Sequence, residues 1–290
     1  MLISNRSKGL LLSLVGVLIL SPDSLLIRLV NLDNNSLIFY RGLLPAIATS
    51  IFLFFFYKKN FINSFILIGK AGLIYAFLYS LIHITFVYSI QNTNVANTLV
   101  LIASSPILAA ILSFIFLKEK QDKLTLIIIF TAFLSMVIIG WGSYTSKGLL
   151  GDVLAIITGF GMAASAIVAR YYKKIDLVPA CVLGCILTAL YAFPITNNFT
   201  FNLEQGIYLF LIGFIVLPIP FIIITIVPRY TPAPEVTLIF LLESILGTLW
   251  VWIIINEMPS LNTLLGGSLL ITSVFVFIYF TAKKEIKGKF

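Results

Sequence analysis

Ten stretches of this chain are each apolar over about the length of a bilayer-spanning helix, and that pattern constrains the fold more than any motif does. A spanning helix needs roughly 20 apolar residues. The stretches run near residues 9–29, 36–57, 66–90, 94–117, 124–144, 149–171, 177–196, 205–227, 233–255 and 261–281. They are continuous and do not alternate polar with apolar residues, which excludes a lipid-spanning β-barrel. In 290 residues they leave only short connections, so no folded soluble domain fits between them. With 60% of residues hydrophobic and 10% charged, the chain cannot cover its apolar surface with polar groups as a soluble domain does. A soluble enzyme, a nucleic-acid binder and a secreted scaffold are thereby excluded. The expected fold is an all-α polytopic membrane protein of ten transmembrane helices.

The net charge of +8 is a statement about topology. With the N-terminus in the cytoplasm, every lysine and arginine except Arg28, Arg41 and Lys147 falls in an inner loop or terminus, as the positive-inside rule requires. Both termini are therefore expected on the cytoplasmic side of a plasma (bacterial inner) membrane. No small-x-small cleavage site follows residues 9–20, so the first apolar run reads as a span and not as a removed signal. Cys181 and Cys185 lie on one span and read as small packing residues; no metal site and no cofactor is expected.

The two halves share a pattern. Lys8-Gly9-Leu10-Leu11 reappears as Lys147-Gly148-Leu149-Leu150, 139 positions later, and Ile115-Phe116-Leu117-Lys118-Glu119 lies over Ile253-Ile254-Ile255-Asn256-Glu257 at a shift of 138. The halves are expected to be residues 1–145 and 146–290. Five spans per half is odd, so the second half enters the membrane in the opposite sense. Inverted repeats of this kind enclose a midplane site in many secondary transporters.

Phe39-Tyr40-Arg41 opening the second span, Ser105-Pro106 followed by an apolar stretch to Leu117-Lys118-Glu119, and Leu242-Glu243 followed by Asn256-Glu257 complete a pattern. In that order, the chain resembles the EamA-type branch of the drug/metabolite transporter superfamily over nearly its whole length. The resemblance implies two inverted five-helix units around a central cavity walled by spans 1, 3, 4, 6, 8 and 9, with export or uptake of a small metabolite by alternating access. It also implies a scaffold role for Arg41 near the outer vestibule. Ser21-Pro22-Asp23-Ser24 in the first span departs from the usual family pattern.

Ionisable groups within the spans are few, and each is a functional candidate because hydrocarbon does not tolerate it unpartnered. Pro22 frees a backbone carbonyl and predicts a broken helix beside Asp23, with Ser21 and Ser24 offering hydroxyls. Asp23 either lines a site or pairs with Arg28 or Arg41 to hold helices together, and the two roles are compatible. Glu243 either carries a proton or stands protonated against a neighbouring helix; its repeat mate is Ser105. Arg41 has the geometry to clamp a carboxylate or phosphate, and His83, the only histidine, either satisfies a helix contact or titrates. Tyr79 and Trp250 are candidates to stack on a substrate, Trp250 the better because it lies two turns from Glu243 along one face. Glu119 and Glu257 end their helices as helix-end or gate contacts, and Pro218 and Pro220 predict a kink in the eighth span that acts as a hinge. Small residues at i, i+4 spacing, Ala155-Gly159-Ala163 and Ser105-Ala109-Ser113, predict close helix packing.

The function expected from these residues is transport of a small polar or amphipathic metabolite, amino-acid-like or otherwise cationic or zwitterionic, with Asp23 and Glu243 as the charged lining and proton coupling through them. An organic-anion carrier using Arg28 and Arg41 is the alternative. No nucleotide-binding signature, metal motif or ring of like charges supports an ATP-driven pump, an intramembrane enzyme or a channel. The expected partners are the substrate and the lipid bilayer, without nucleic acid, for a monomer or homodimer.

Overall fold

In the computed structural model, which describes residues 5–93, 95–141, 148–256, 258 and 261–287, every regular element is helical. The α-helices are α1 (Asn5–Leu20), α2 (Asp23–Val30), α3 (Asn34–Tyr57), α4 (Phe61–Leu67), α5 (Gly69–Asn92), α6 (Val95–Ile102), α7 (Ser105–Leu112), α8 (Lys123–Trp141), α9 (Leu149–Tyr171), α10 (Val178–Ala192), α11 (Leu203–Leu211), α12 (Pro218–Ile226), α13 (Ala233–Phe240), α14 (Leu242–Ile255) and α15 (Leu261–Lys287). Among the described residues, eight helical stretches are long and apolar enough to cross a membrane: Arg6–Val30, Asn34–Leu67, Gly69–Asn92, Leu149–Tyr171, Val178–Ile195, Leu203–Arg229, Ala233–Ile255 and Leu261–Thr281. Ser105–Leu117 and Lys123–Ile139 are shorter apolar helices. The protein is an integral multi-pass membrane protein.

Two expected spans thus fall short as continuous helices, for different reasons. The stretch 94–117 is divided because Pro106 has no N–H for the carbonyl of Ile102. The chain turns at Ala103 and Ser104, where the Ser104 amide donates to the Leu101 carbonyl at 3.1 Å, and α7 restarts behind the turn. The stretch 124–144 is helical to Trp141, and residues 142–147 lie outside the described part.

Proline marks two further breaks. The first span divides at Ser21-Pro22 into α1 and α2. The eighth passes from α11 through a π-helical turn, Ile212–Val216, into α12 at Pro218, with the Leu217 amide reaching back to the Ile212 carbonyl at 3.0 Å. The ninth span is also broken, at Leu241, where no proline stands; the Leu241 and Ser244 amides donate to the Leu238 and Leu241 carbonyls, each at 3.2 Å.

The helices pack through small residues because lipid supplies no hydrophobic force between them. α5 lies on α9, α3 on α10, and α8 on α15. Ala155, Ala163, Ser105, Ala109 and Ser113 are all buried. The buried cysteines are unbridged and sit beside hydroxyls, Cys181 3.1 Å from Thr225 and Cys185 3.6 Å from Tyr79.

The connections sort to two ends of the bundle. One end carries the start of α1, the links from α3 to α5, α7 to α8, α9 to α10 and α12 to α13, and the last turns of α15; Arg6, Lys123 and Thr281 line one recess there. Lys58, Lys59, Lys118, Lys120, Lys173, Lys174 and Arg229 stand in these links. At the far end Asn35 donates to the Ile195 carbonyl at 3.0 Å, Tyr40 to that of Phe199 at 2.6 Å and Gln205 to that of Val30 at 2.9 Å.

A Cβ added at Gly42 would lie 2.5 Å from the Ala189 nitrogen and 2.7 Å from the Cys185 carbonyl oxygen, both rigid backbone, whereas one at Gly159 would meet nothing nearer than 3.4 Å. Gly42→Ala is therefore expected to destabilise the detergent-solubilised protein by ~1–3 kcal/mol and Gly159→Ala to leave its thermal midpoint unchanged. Equal midpoints for the two variants would show that α3 and α10 are not in close contact.

Candidate functional site

The site begins at the break in the first span. Pro22 leaves the Leu18 carbonyl without its usual i+4 amide donor, and the Ser21 hydroxyl donates to that carbonyl instead at 2.8 Å. The chain restarts as α2 with Asp23 in its first turn, where the helix dipole favours a negative charge. α3 is started by Asp33, whose side chain accepts from the Ser36 amide at 3.1 Å, and carries Arg41 in from the far end. The two meet as a bidentate pair, Nη1 to Oδ1 at 2.6 Å and Nη2 to Oδ2 at 2.9 Å, with side chains 4% and 3% exposed for Arg41 and Asp23. Such a fork matches the carboxylate plane and neutralises both charges where water cannot. Arg28 is exposed on α2 and is not the partner of Asp23.

Beside this pair lies a cavity of about 90 Å³, small against the several hundred Å³ of a typical ligand pocket. One side is polar: Asp23, Arg41, Glu243 and Ser244. The turn at Leu241 restarts the helix so that Glu243 stands in the first turn of α14, and Glu243 makes no hydrogen bond or ion pair among the described residues. The lining also carries aromatic rings. Tyr79, His83 and Phe221 form a closed set of rings with centroids 4.6 Å (Tyr79 to His83), 5.0 Å (Tyr79 to Phe221) and 4.8 Å (His83 to Phe221) apart. His83 is buried and its Nε2 has no hydrogen-bond partner among the described residues. A carboxyl without an ionic partner sharing a cavity with π-faces is suited to a small cation, since ring quadrupoles and the carboxylate attract the same charge.

Of the residues singled out from sequence, Asp23, Arg41, Tyr79, His83, Glu243 and Pro220 line this cavity. Ser24, Ser105, Trp250, Pro22 and Pro218 do not. Ser24 packs against Gly247, where an added Cβ would lie 2.5 Å from its hydroxyl, and the Trp250 indole donates to the Ser21 hydroxyl at 2.8 Å. Both thus hold the broken first span against α14 and support the site from behind. Ser105 is buried elsewhere with its hydroxyl unpartnered among the described residues. Glu119 stands at the terminal end, paired with Arg170, and Glu257 lies outside the described residues. Tyr75, Phe221, Met162 and Ser244 line the cavity without having been singled out. Tyr75 had a signal, because Tyr75, Tyr79 and His83 recur every four residues on one helix face; Phe221 is one of 25 phenylalanines and had none. Among the described residues no three His, Cys, Asp or Glu converge to hold a metal.

The EamA-like transporter family matches the chain over residues 7–141 and 149–279. The uncharacterized transporter YdfC of Bacillus subtilis (strain 168) is 26% identical over 196 residues, 64% of this chain and 63% of its own length, so the match spans less than two thirds of that relative. An uncharacterized transporter of Archaeoglobus fulgidus is 24% identical over 293 residues, 93% of this chain and 97% of its own. A solved crystal structure superposes with a TM-score of 0.80 at 12% identity, covering 93% of this chain and 96% of that one, which shows a shared fold.

Arg41→Met leaves a buried carboxylate without its counter-ion and is expected to cost ~3–5 kcal/mol, most of which the double variant Asp23→Leu with Arg41→Met regains. Unfolding by SDS in mixed micelles measures both. A double variant no more stable than the single one would mean that Asp23 draws its support from another group.

Proposed function

The chain belongs to the EamA-like transporter family, and from that premise we propose that it is a secondary transporter that carries a small cationic or zwitterionic metabolite through the central cavity by alternating access. The observation that carries this reading is Glu243, a carboxyl with no hydrogen bond or ion pair among the described residues, lining the same cavity as the ring set of Tyr79, His83 and Phe221 while Asp23 and Arg41 pair with each other. A positively charged group entering the cavity would meet the one carboxyl not already paired, with aromatic faces around it. The small cavity favours an occluded solute of amino-acid size or less. The anion reading is weaker, because the Arg41 fork is already filled by the Asp23 carboxylate.

In this proposal the two halves, 1–145 and 146–290, are inverted five-helix repeats. Two observations support it. The turns that divide α6 from α7 and α13 from α14 stand at Ala103 and Leu241, 138 positions apart, the same offset that aligns the halves in sequence. The basic residues of the links gather at the end that carries both termini, which favours a cytoplasmic position for that end in the plasma membrane. Glu243 also has the chemistry for coupling: taking up a proton removes the charge that holds a cation, so proton and substrate compete for one group.

Proteoliposomes loaded with amino acids, polyamines, organic acids or nucleosides test the reading. Saturable counterflow of an amine-bearing solute is expected, and Glu243→Gln is expected to lose proton-driven accumulation by at least an order of magnitude. Unchanged accumulation and pH dependence in Glu243→Gln would remove the coupling role, and flux confined to organic anions would overturn the substrate class.

A further inference from the structure

We infer that the end of the bundle carrying the termini is shut by a two-layer gate, an outer lattice of ion pairs and an inner layer of hydroxyl contacts, which must part for the cavity to open to that side; the inference rests on the carrier reading above. The outer layer joins segments far apart in the chain. Arg6, at the start of α1, pairs with Glu235 in the first turn of α13, its Nε donating to Oε2 at 3.0 Å, and the Glu235 side chain is 1% exposed. The Thr231 hydroxyl donates to the Arg6 carbonyl at 3.3 Å. Arg170, in the last turn of α9, holds Glu119 of the α7–α8 link at 2.9 Å through Nη2 and donates from Nη1 to the carbonyls of Pro228 and Arg229 at 3.1 and 3.3 Å. Arg229 in turn donates to the Ile175 carbonyl at 2.8 Å and to Asp176 at 3.0 Å, and the Tyr57 hydroxyl donates to the same carboxylate. Asp122 and Arg170 lie within electrostatic reach of Glu235, so the first pair belongs to the same field.

The inner layer sits between these pairs and the cavity. Tyr75, which lines the cavity, meets Thr225 hydroxyl to hydroxyl at 2.8 Å, and Cys181 reaches the same oxygen at 3.1 Å. α5, α12 and α10 are thereby tied together one turn beyond Phe221 and Ile224 of the cavity wall.

Three features suit these contacts to a gate. Arg6 to Glu235, Glu119 to Arg170 and Tyr57 to Asp176 each join a residue of the first half to one of the second, and relative motion of the halves is what alternating access requires. Arg6, Arg170, Glu119, Arg229 and Asp176 are part-exposed, so these members are rehydrated as their pairs open, and Glu235 alone is buried. The inner contacts are one hydroxyl pair, Tyr75 with Thr225, and one thiol contact from Cys181, and water can take the place of the hydroxyl partner. The Asp23–Arg41 pair has none of this freedom, since both its members lie within the first half and out of water.

Ser165 lines the cavity on α9, a little more than one turn before Arg170, and makes a reporter position. Ser165→Cys in membrane vesicles is treated with a membrane-impermeant maleimide on the face where a C-terminal tag is accessible to protease; each gate variant without Ser165→Cys supplies its own background, because Cys181 stands in the inner layer. Adding Glu119→Gln and Glu235→Gln is expected to raise the labelling rate about tenfold or more, by shifting the population toward the open side. The charge-keeping changes Glu119→Asp and Glu235→Asp are expected to retain slower labelling than the Gln variants, which separates a lost attraction from a misfolded end. Raising salt to ~1 M, where screening reaches within about 3 Å, is expected to speed labelling without any change to the lattice. Labelling rates unmoved by both the Gln variants and salt, or Asp variants that label as fast as the Gln variants, would overturn the gate. No solute is present in these measurements, so they decide the gate whether or not any solute in the panel is carried.

Discussion

A carboxylate held in a guanidinium fork out of water is the interaction on which the rest of this structure depends. Neither Asp23 nor Arg41 is tolerable alone at its position, because an isolated charge in a low-dielectric interior costs several kcal/mol. Meeting as a fork requires the first span to stop and restart, and Pro22 makes that stop. The carbonyl that the proline orphans is satisfied by Ser21, and the same hydroxyl accepts from the Trp250 indole, so the repair of one broken helix is also its anchor to another. Gly247 completes the anchor by admitting Ser24 to a distance that no Cβ would permit. Ser21, Pro22, Ser24, Gly247 and Trp250 thus serve one end: holding a neutralised ion pair at the edge of a cavity.

With that pair formed, Glu243 is the carboxyl of the cavity lining left without a direct partner among the described residues. Its placement depends on the turn at Leu241, which restarts the ninth helix and brings the carboxyl into the first turn of α14. The aromatic wall is held by equally local means. Gly184 allows α10 to ride over Tyr79, where an added Cβ would lie 2.8 Å from the tyrosine side chain, and Cys185 and Phe221 fix the ring from two other sides. The small residues are therefore what lets rings from separate helices converge without a hydrophobic force to press them together.

Eight of the ten expected spans, the basic end and the breaks at Pro22 and Pro218 were legible in the sequence, because each follows from a one-dimensional quantity: hydropathy over a window, the sign of a charge, a missing N–H; the break before Pro106 was not read from it. Asp23 with Arg41 was legible as a pair of candidates, and Arg28 dropped out only when the helices were placed. The break at Leu241 was not legible, since Leu-Leu-Glu-Ser carries no residue that forbids a helix. Trp250 shows where periodicity misleads. Seven residues return a side chain to the same face, but the 1.5 Å rise also carries it about 10 Å along the axis, past a cavity of this size. Ser105 was matched to Glu243 by the 138-residue shift alone, and such a match says nothing of which side chain reaches the cavity. Phe221 was hidden by abundance, and only the packing of α12 against α5 and α10 separates it from rings that face lipid.

The ion pairs of the molecule are sorted by what water does to them. An exposed pair contributes roughly 0–1 kcal/mol because its members are solvated almost as well apart, whereas breaking a buried pair strands a charge at ~3–5 kcal/mol. Asp23 and Arg41 lie in one half, sealed from solvent, so opening their pair would strand both charges. Arg170 with Glu119 and Arg229 with Asp176 sit at the terminal end with water at hand. The Glu119–Arg170 pair joins the two halves of the chain, whereas Arg229 and Asp176 both lie in the second. Arg6 with Glu235 is intermediate, one partner sealed and the other part-exposed, so it resists opening more than its neighbours yet has a hydrated path by which Arg6 can leave. A charge that only has to exist is buried with its partner, and a charge that has to let go is kept near water.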